Sequence, residues 1–329
     1  MKIGVLVNLR AGSADRVNVV CAAVDRLLGS HEVICSLDFG GSHLRADRIV
    51  APIKAAGYLP KLWACVDAIA AESPGAFVVA GGDGLAAYVA DRLITRHGGT
   101  PRMLGIAMGT ANVGPIVAFQ AEELDGLKFD DLEFAPCGAI EALDGDRHAA
   151  YCFNDLIIGN TLLSTVDKKT ATVSAAAMAR DGSRLPEDPM ESAVSSFKLV
   201  KNGAEIFSSL PSVAQIVAST LERDRLYGRA VAGMLCYAGE GAQAAILLSE
   251  RPIVTTRYDA RGFGAFARAE QLLFGAKDDL RLYGCKPEAL IIADGNPYLR
   301  SGDFIGIRYI PELVAIAGGK GARMRRWGG

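Results

Sequence analysis

The chain predicts two domains: an α/β domain built on a parallel sheet, followed by a mostly β domain. Three observations predict this. Over roughly the first 125 residues short apolar strands alternate with amphipathic helices, a pattern that places helices on both faces of a parallel sheet. Three of those strands run directly into glycine-bearing turns. From about Phe134 onward the strand-like runs crowd together and helical periodicity fades. The expected boundaries are 1–125, 126–310 and a solvated tail, 311–329.

Ile3 to Val7 is a β-branched apolar run and reads as a strand buried on both faces. Asn8 to Ser13 is a turn. Val17, Val20, Cys21, Val24, Leu27 and Leu28 then recur at helical spacing until Gly29. His31 to Leu37 is a second strand. Leu62, Trp63, Val66, Ile69 and Ala70 mark a second helix. Ala76 to Ala80 is a buried strand, broken by Gly81-Gly82-Asp83-Gly84. Leu85, Val89 and Leu93 share a helix face that ends at Gly98-Gly99. Met103 to Ala107 is the next strand and leads into 108–115.

In the second half, strands are expected at Tyr151 to Gly159, Ser195 to Val200, Gln215 to Ala218 and Ala244 to Leu248. Others are expected at Arg281 to Tyr283, Leu290 to Ala293 and Phe304 to Tyr309. Gly264 to Phe274 is the one helix candidate, and Asp167 to Ala193, polar with two prolines, is expected as a loop or excursion.

Composition narrows the function classes. The 329 residues are 50% hydrophobic and 22% charged, with a formal net charge of -2. Disorder is excluded, and no global basic field points to nucleic acid or an anionic membrane. The seven Cys are dispersed, with no CxxC pair and no Cys/His cluster, so they read as reduced thiols and not as a metal site. The N-terminal apolar run is too short for a signal segment, and no stretch is long enough to span a bilayer. Cytoplasm is the expected compartment.

In open α/β sheets ligands sit at the carboxyl ends of strands, where the turns after Val7, Ala80 and Ala107 should converge. In the second turn, Gly81, Gly82 and Gly84 let backbone approach a phosphate at a helix N-terminus. An aspartate repels a simple phosphate. Asp83 makes sense as acceptor of a proton from an attacking hydroxyl, or beside Mg²⁺ on the phosphates. The plain alternative is a tight turn whose aspartate caps the helix. Asn8, Gly12 and Ser13 in the first turn, and Gly109, Thr110 and Asn112 in the third, suit a nucleotide or equally a plain turn. Phe153 to Ile158 embeds Asn154-Asp155 in an apolar strand. Burying an amide and a carboxylate costs several kcal/mol, about 2–7 for the amide alone, unless they are paired. Ligand hydroxyls are one partner; a strand-edge turn is the alternative. Asp294-Gly295-Asn296-Pro297 reads most simply as a turn between two strands. The four His adjoin no Ser or Cys motif, so no hydrolytic triad is read.

In this order and spacing the motifs resemble the ATP–NAD kinase family, within the superfamily that also holds diacylglycerol and sphingosine kinases. Gly81 to Gly84 is similar to its Gly-Gly-Asp-Gly signature. Gly105 to Gly114 is similar to the family's next glycine-rich segment, Asn154-Asp155 to its Asn-Glu strand, and Leu290 to Asn296 to a late strand ending in Asp-Gly. The likeness covers about residues 1 to 310. Leu85 stands where a Thr is usual, Asp155 replaces Glu, and no Pro-Thr-Gly-Ser-Thr-Ala-Tyr segment follows. These departures resemble the branch that includes the acetoin-catabolism protein X group.

The resemblance implies a Rossmann-like N-terminal domain, a β-rich substrate domain and a cleft between them. It implies transfer of the γ-phosphoryl of ATP, with Mg²⁺, to the 2′-hydroxyl of NAD. Asp83 would be the base, the Asn8–Ser13, Gly81–Gly84 and Gly109–Asn112 groups would bind nucleotide, and Asn154 and Asp155 would bind the acceptor. Polyphosphate is the alternative donor, a lipid or other small metabolite the alternative acceptor, and a non-catalytic nucleotide-binding regulator the non-enzyme reading. A homodimer or homotetramer is implied as well.

Overall fold

The computed structural model describes residues 1–109, 114–167, 169–221, 243–257 and 267–319. They fall into two compact units. The first is Met1–Cys137 with the described residues from Glu312 onward, and the second is Gly138–Pro311.

The first unit follows the expected alternation. Its elements are β1 (Lys2–Val7), α1 (Ala14–Leu28), β2 (Glu32–Ser36), β3 (Arg48–Val50), α2 (Tyr58–Ala70), β4 (Ala76–Gly81), α3 (Asp83–Arg92), β5 (Arg102–Ala107) and β6 (Val117–Gln120). β3, β2, β1, β4 and β5 pair in that order, all parallel. β1 and β4 are buried along nearly their whole length, as their unbroken apolar runs require. Val17, Val20, Val24 and Leu28 of α1 pack on the face that carries Ile3, Val5, Val7, Val78 and Ala80. On the other face Gly4 lies against Ile69 of α2, and α2 packs on α3.

The second unit opens with β7 (Leu132–Asp144), which starts in the first unit, and continues through β8 (Arg147–Cys152), β9 (Leu156–Gly159), β10 (Thr161–Val166), β11 (Lys169–Ser174) and α4 (Ala175–Asp181). Then come β12 (Val194–Lys201), β13 (Ala204–Ile206), β14 (Gln215–Thr220), β15 (Ala244–Ser249), β16 (Ala269–Phe274), β17 (Asp279–Cys285), β18 (Leu290–Ala293), β19 (Asn296–Tyr298) and β20 (Phe304–Gly319). One antiparallel sheet runs β16-β15-β14-β9-β18-β19. Its inner strands β9 and β18 are apolar throughout, and apolar residues of the sheet enter cores on both faces. Leu156, Ile158, Ile216, Ile246 and Ile291 enter one core; Ile157, Val217, Leu247 and Ile292 enter another. That alternation is the period of two a strand imposes. β13, β12, β17 and the first part of β20 form a further antiparallel array.

Four expectations change. Gly264 to Phe274 is not helical where it is described: Ala269–Phe274 is β16, its successive residues Leu272 and Leu273 packing into opposite cores. Asp167 to Ala193 is not all loop. β10 and β11 form a hairpin, and the alanine-rich α4 is capped by Ser174 Oγ, which accepts from Ala177 N–H at 3.2 Å. The expected strand from Tyr151 to Gly159 breaks at 153–155, between β8 and β9, so Asn154 and Asp155 are in a connection and not within a strand. Residues after Tyr309 are not a tail at once. β20 continues to Gly319, and its last part pairs in parallel with β5 at Ala315 and Ile316. Val314 and Ile316 are buried there, which supplies the reason. Among the described residues no helix is long and apolar enough to cross a membrane.

Candidate functional site

Two clusters of the expected residues take shape, one in each unit. The first lies at the carboxyl ends of β1, β4 and β5, which are consecutive neighbours in the parallel sheet. Their following turns are laced together. Asn8 N–H donates to the Ala80 carbonyl at 2.8 Å, and Met108 N–H donates to the Gly81 carbonyl at 3.1 Å. Gly12 lies close against the Met108 carbonyl. The first two turns and the start of the third, as far as it is described, therefore share one sheet edge.

Within that edge each side chain has a local reason. Asn8 Oδ1 accepts from Arg10 N–H at 3.1 Å, closing the first turn. Ser13 is the N-cap of α1, its Oγ accepting from Arg16 N–H at 3.2 Å. Gly82 is the N-cap of α3, with Asp83 and Gly84 in the first helical turn, where the helix dipole favours an anion. Asp83 is half-buried, and its Oδ2 accepts from the Gly114 N–H at 3.0 Å. Leu85 is buried and packs beneath Gly81, so the side chain that follows the motif serves the core. Gly109 follows Met108 on the same edge; Thr110 and Asn112 lie outside the described residues.

Arg16 belongs to this edge and was missed. Its Nη2 donates to the Ala107 carbonyl at 3.2 Å and to Gln120 Oε1 at 3.0 Å, and its Nη1 pairs with Glu122. It fastens α1 to the end of β5 and to the segment after β6. Sequence offered only an arginine early in a helix; its partners lie about a hundred residues on.

The second cluster centres on Asp294. Asp294-Gly295 is the two-residue turn between β18 and β19, as Ala293 pairs with Asn296. The turn expected from sequence is present, and both residues have positive φ, 49° and 76°. That is the requirement of the tight hairpin turn for which Asp-Gly is a favoured pair. The carboxylate has a second task that sequence did not reveal. Its Oδ2 accepts from Phe153 N–H at 2.8 Å, and its Oδ1 from Asn154 N–H at 2.8 Å and Asp155 N–H at 3.1 Å. Asp294 N–H in turn donates to the Asp155 carbonyl at 3.0 Å. Asn154 Nδ2 donates to Asp155 Oδ1 at 3.0 Å, and Ser219 Oγ donates to the Asn154 carbonyl at 2.6 Å. Cys152 Sγ lies 3.3 Å from Asp294 Oδ1 as donor. Burial, then the charges of Asp294 and Asp155, push that thiol well above its usual range, so it stays protonated.

No known protein-family profile matches the sequence, and no curated protein matches it. Solved structures do match in three dimensions. A yeast NADH kinase in complex with NADH aligns over 98% of this chain and 84% of its own, with a TM-score of 0.55 at 13% identity. The chain has the fold of that NADH kinase. An NAD kinase from Archaeoglobus fulgidus in complex with ATP aligns over 99% of this chain and 96% of its own, with a TM-score of 0.49 at 15% identity. The NADH-kinase fold accounts for the architecture seen here, an α/β unit together with a β-rich one.

Proposed function

We propose that the protein is a kinase that transfers the γ-phosphoryl of ATP to a hydroxyl, the 2′-hydroxyl of NAD or NADH being the preferred acceptor. The observation that carries this reading is the position of Asp83: a half-buried carboxylate in the first turn of a helix, at the carboxyl end of β4 between its neighbours β1 and β5 in the parallel sheet. Glycine backbone and helix N–H groups suit phosphate oxygens. A lone carboxylate among them suits a proton acceptor. In the proposed step the acceptor oxygen bonds to the γ-phosphorus, the bond from that phosphorus to the β,γ-bridging oxygen breaks, ADP leaves, and the hydroxyl proton passes to Asp83. Gly81, Gly82, Gly84, Gly109, Asn8, Gly12 and Ser13 are the proposed nucleotide-binding groups, and Asn154 and Asp155 the acceptor-binding ones. The fold shared with a yeast enzyme solved with NADH supports a dinucleotide acceptor.

Mg²⁺ is proposed to come with ATP. Among the described residues no group of three or more His, Cys, Asp or Glu forms a metal cage. One carboxylate facing substrate phosphates is nonetheless a usual Mg²⁺ environment, and Asp83 would face the ion only in the alternative role, in place of taking the proton. The ion would offset negative charge on the transferred phosphoryl.

Asp155, one methylene shorter than the glutamate of the resembling family, favours a second reading: the same transfer to another small hydroxyl metabolite. It also supports a place in the divergent branch of the family, for which a cytoplasmic homodimer or homotetramer is proposed. The test is direct. Purified protein with ATP, Mg²⁺ and NAD or NADH should form the 2′-phosphorylated dinucleotide. Turnover of a different hydroxyl compound, with none of either dinucleotide, would move the assignment to the second reading. Absence of any ATP-dependent transfer would leave a nucleotide-binding regulator.

A further inference from the structure

In sequence the turn Asp294-Gly295 reads as a plain hairpin turn, and the proposed reaction does not use it. Yet its carboxylate gathers three consecutive N–H groups, those of Phe153, Asn154 and Asp155. Asp294 is only 8% exposed. A carboxylate at that depth persists because it is held by donors, and three backbone N–H groups plus a thiol provide them. The connection between β8 and β9 has only three residues, so fixing all three N–H groups fixes its path. The side chains of Asn154 and Asp155 then leave a backbone with little freedom, and they also bond to each other.

We propose that Asp294 is a positioning residue: it holds the Asn154–Asp155 connection in the shape that receives the acceptor. The inference rests on the reading that Asn154 and Asp155 bind the acceptor, and it assigns Asp294 no contact with substrate. An asparagine at 294 has the same shape but one acceptor oxygen, and its Nδ2 donor would face N–H groups that have nothing to give it. The connection would loosen while the hairpin, made by backbone φ, is retained.

The experiment compares wild type, Asp294→Asn, Asn154→Ala and the double variant, with NAD as the probe. In Asp294→Asn, amide hydrogen exchange at Phe153, Asn154 and Asp155 should speed up. kcat/KM for NAD should fall about 10- to 100-fold, the usual size of a small misplacement, while KM for ATP stays put. In the Asn154→Ala background the same change should cost much less, since residues that act through one another are not additive. If Asp294→Asn fails to fold, Gly295→Ala is the second variant. It keeps the carboxylate, meets no atom within 4 Å, and strains the positive-φ turn, so it should give a smaller loss in the same direction. Unchanged exchange at 153–155, or additive losses in the double variant, would overturn the proposal while NAD turnover by wild type keeps the kinase reading. Wild type that neither binds nor phosphorylates NAD would overturn the acceptor assignment, and this inference with it.

Discussion

The backbone N–H of Gly114 donates to Oδ2 of Asp83 at 3.0 Å. One residue begins a helix after β4 and the other lies beyond β5, so this bond joins two of the three turns on the sheet edge. The carboxylate is aimed by a neighbouring strand's loop. The two residues are also in close contact: a Cβ on Gly114 would stand 2.9 Å from Asp83 Oδ1.

Replacing Asp83 by Asn separates enzyme from binder. Asn keeps the size and can still accept from Gly114, but it cannot take a proton at neutral pH. ATP-dependent transfer should fall by about 10²–10⁴-fold. Melting temperature and nucleotide binding should stay near wild type. Near wild-type turnover would remove Asp83 from the role of base.

Gly114→Ala should split activity from stability. The atoms an added methyl meets belong to the end of the Asp83 side chain, which can swing away without moving backbone. Loss of the Gly114 N–H bond to Asp83 should cost no more than about 1–3 kcal/mol in urea titration, leaving the protein folded. kcat should fall by about tenfold or more, because the displaced group is the proposed base.

Arg16→Met should destabilise the first unit by about 1–3 kcal/mol, the usual range for lost charge-assisted hydrogen bonds, read from denaturant midpoints. The partners decide the size of the effect. The Ala107 carbonyl is part of the sheet's edge, whereas the Glu122 side chain is 63% exposed. Glu122→Gln should therefore leave the midpoint nearly unchanged. A large loss from Glu122→Gln would show that the ion pair, and not the carbonyl bond, is the tie.

Asp38→Asn carries a pH signature. Ile53 N–H and the Lys61 ammonium, at 2.9 and 3.1 Å, hold the Asp38 carboxyl below its ordinary value of 3.8. Its stabilising effect is thus fully present above the unfolded value and is lost as pH falls through the folded one. The melting-temperature gap between wild type and Asp38→Asn should be constant from neutral pH down to about 5, and close below 3.8. A gap that widened with acid would contradict this.

The first unit was legible because its signals are local. Ala76 to Gly81 is apolar at every position and ends in glycine, and Val17 to Leu28 keeps one helical stripe between Ser13 and Gly29. What sequence hid was non-local. An apolar run continues from Tyr151 past Asn154, and what breaks it is a carboxylate 140 positions away. The residues before Phe274 have a helix-like spacing, but pairing with β15 makes them a strand. The strand expected to end at Tyr309 runs on past Pro311 and Glu312, the latter at φ 51°, because an edge of β5 lies open to it. In the site, the glycines and Asp83 were visible as a motif, while Arg16 and Asp294 act only through partners that folding brings near.

β20 leaves the α/β unit discontinuous in sequence, and this governs how the protein is made. On the ribosome, residues 1–137 emerge before the second unit and hold β1 to β6, but Arg102 and Met103 of β5 lack their β20 partner until Ala315 and Ile316 are synthesised. Nascent domains commonly fold in order of synthesis, and an open strand edge is where they pair wrongly. Here the earliest unit is finished last, so a stop codon anywhere before residue 315 would strip the proposed catalytic unit of a strand even though every residue of its Gly-Gly-Asp-Gly turn had been translated.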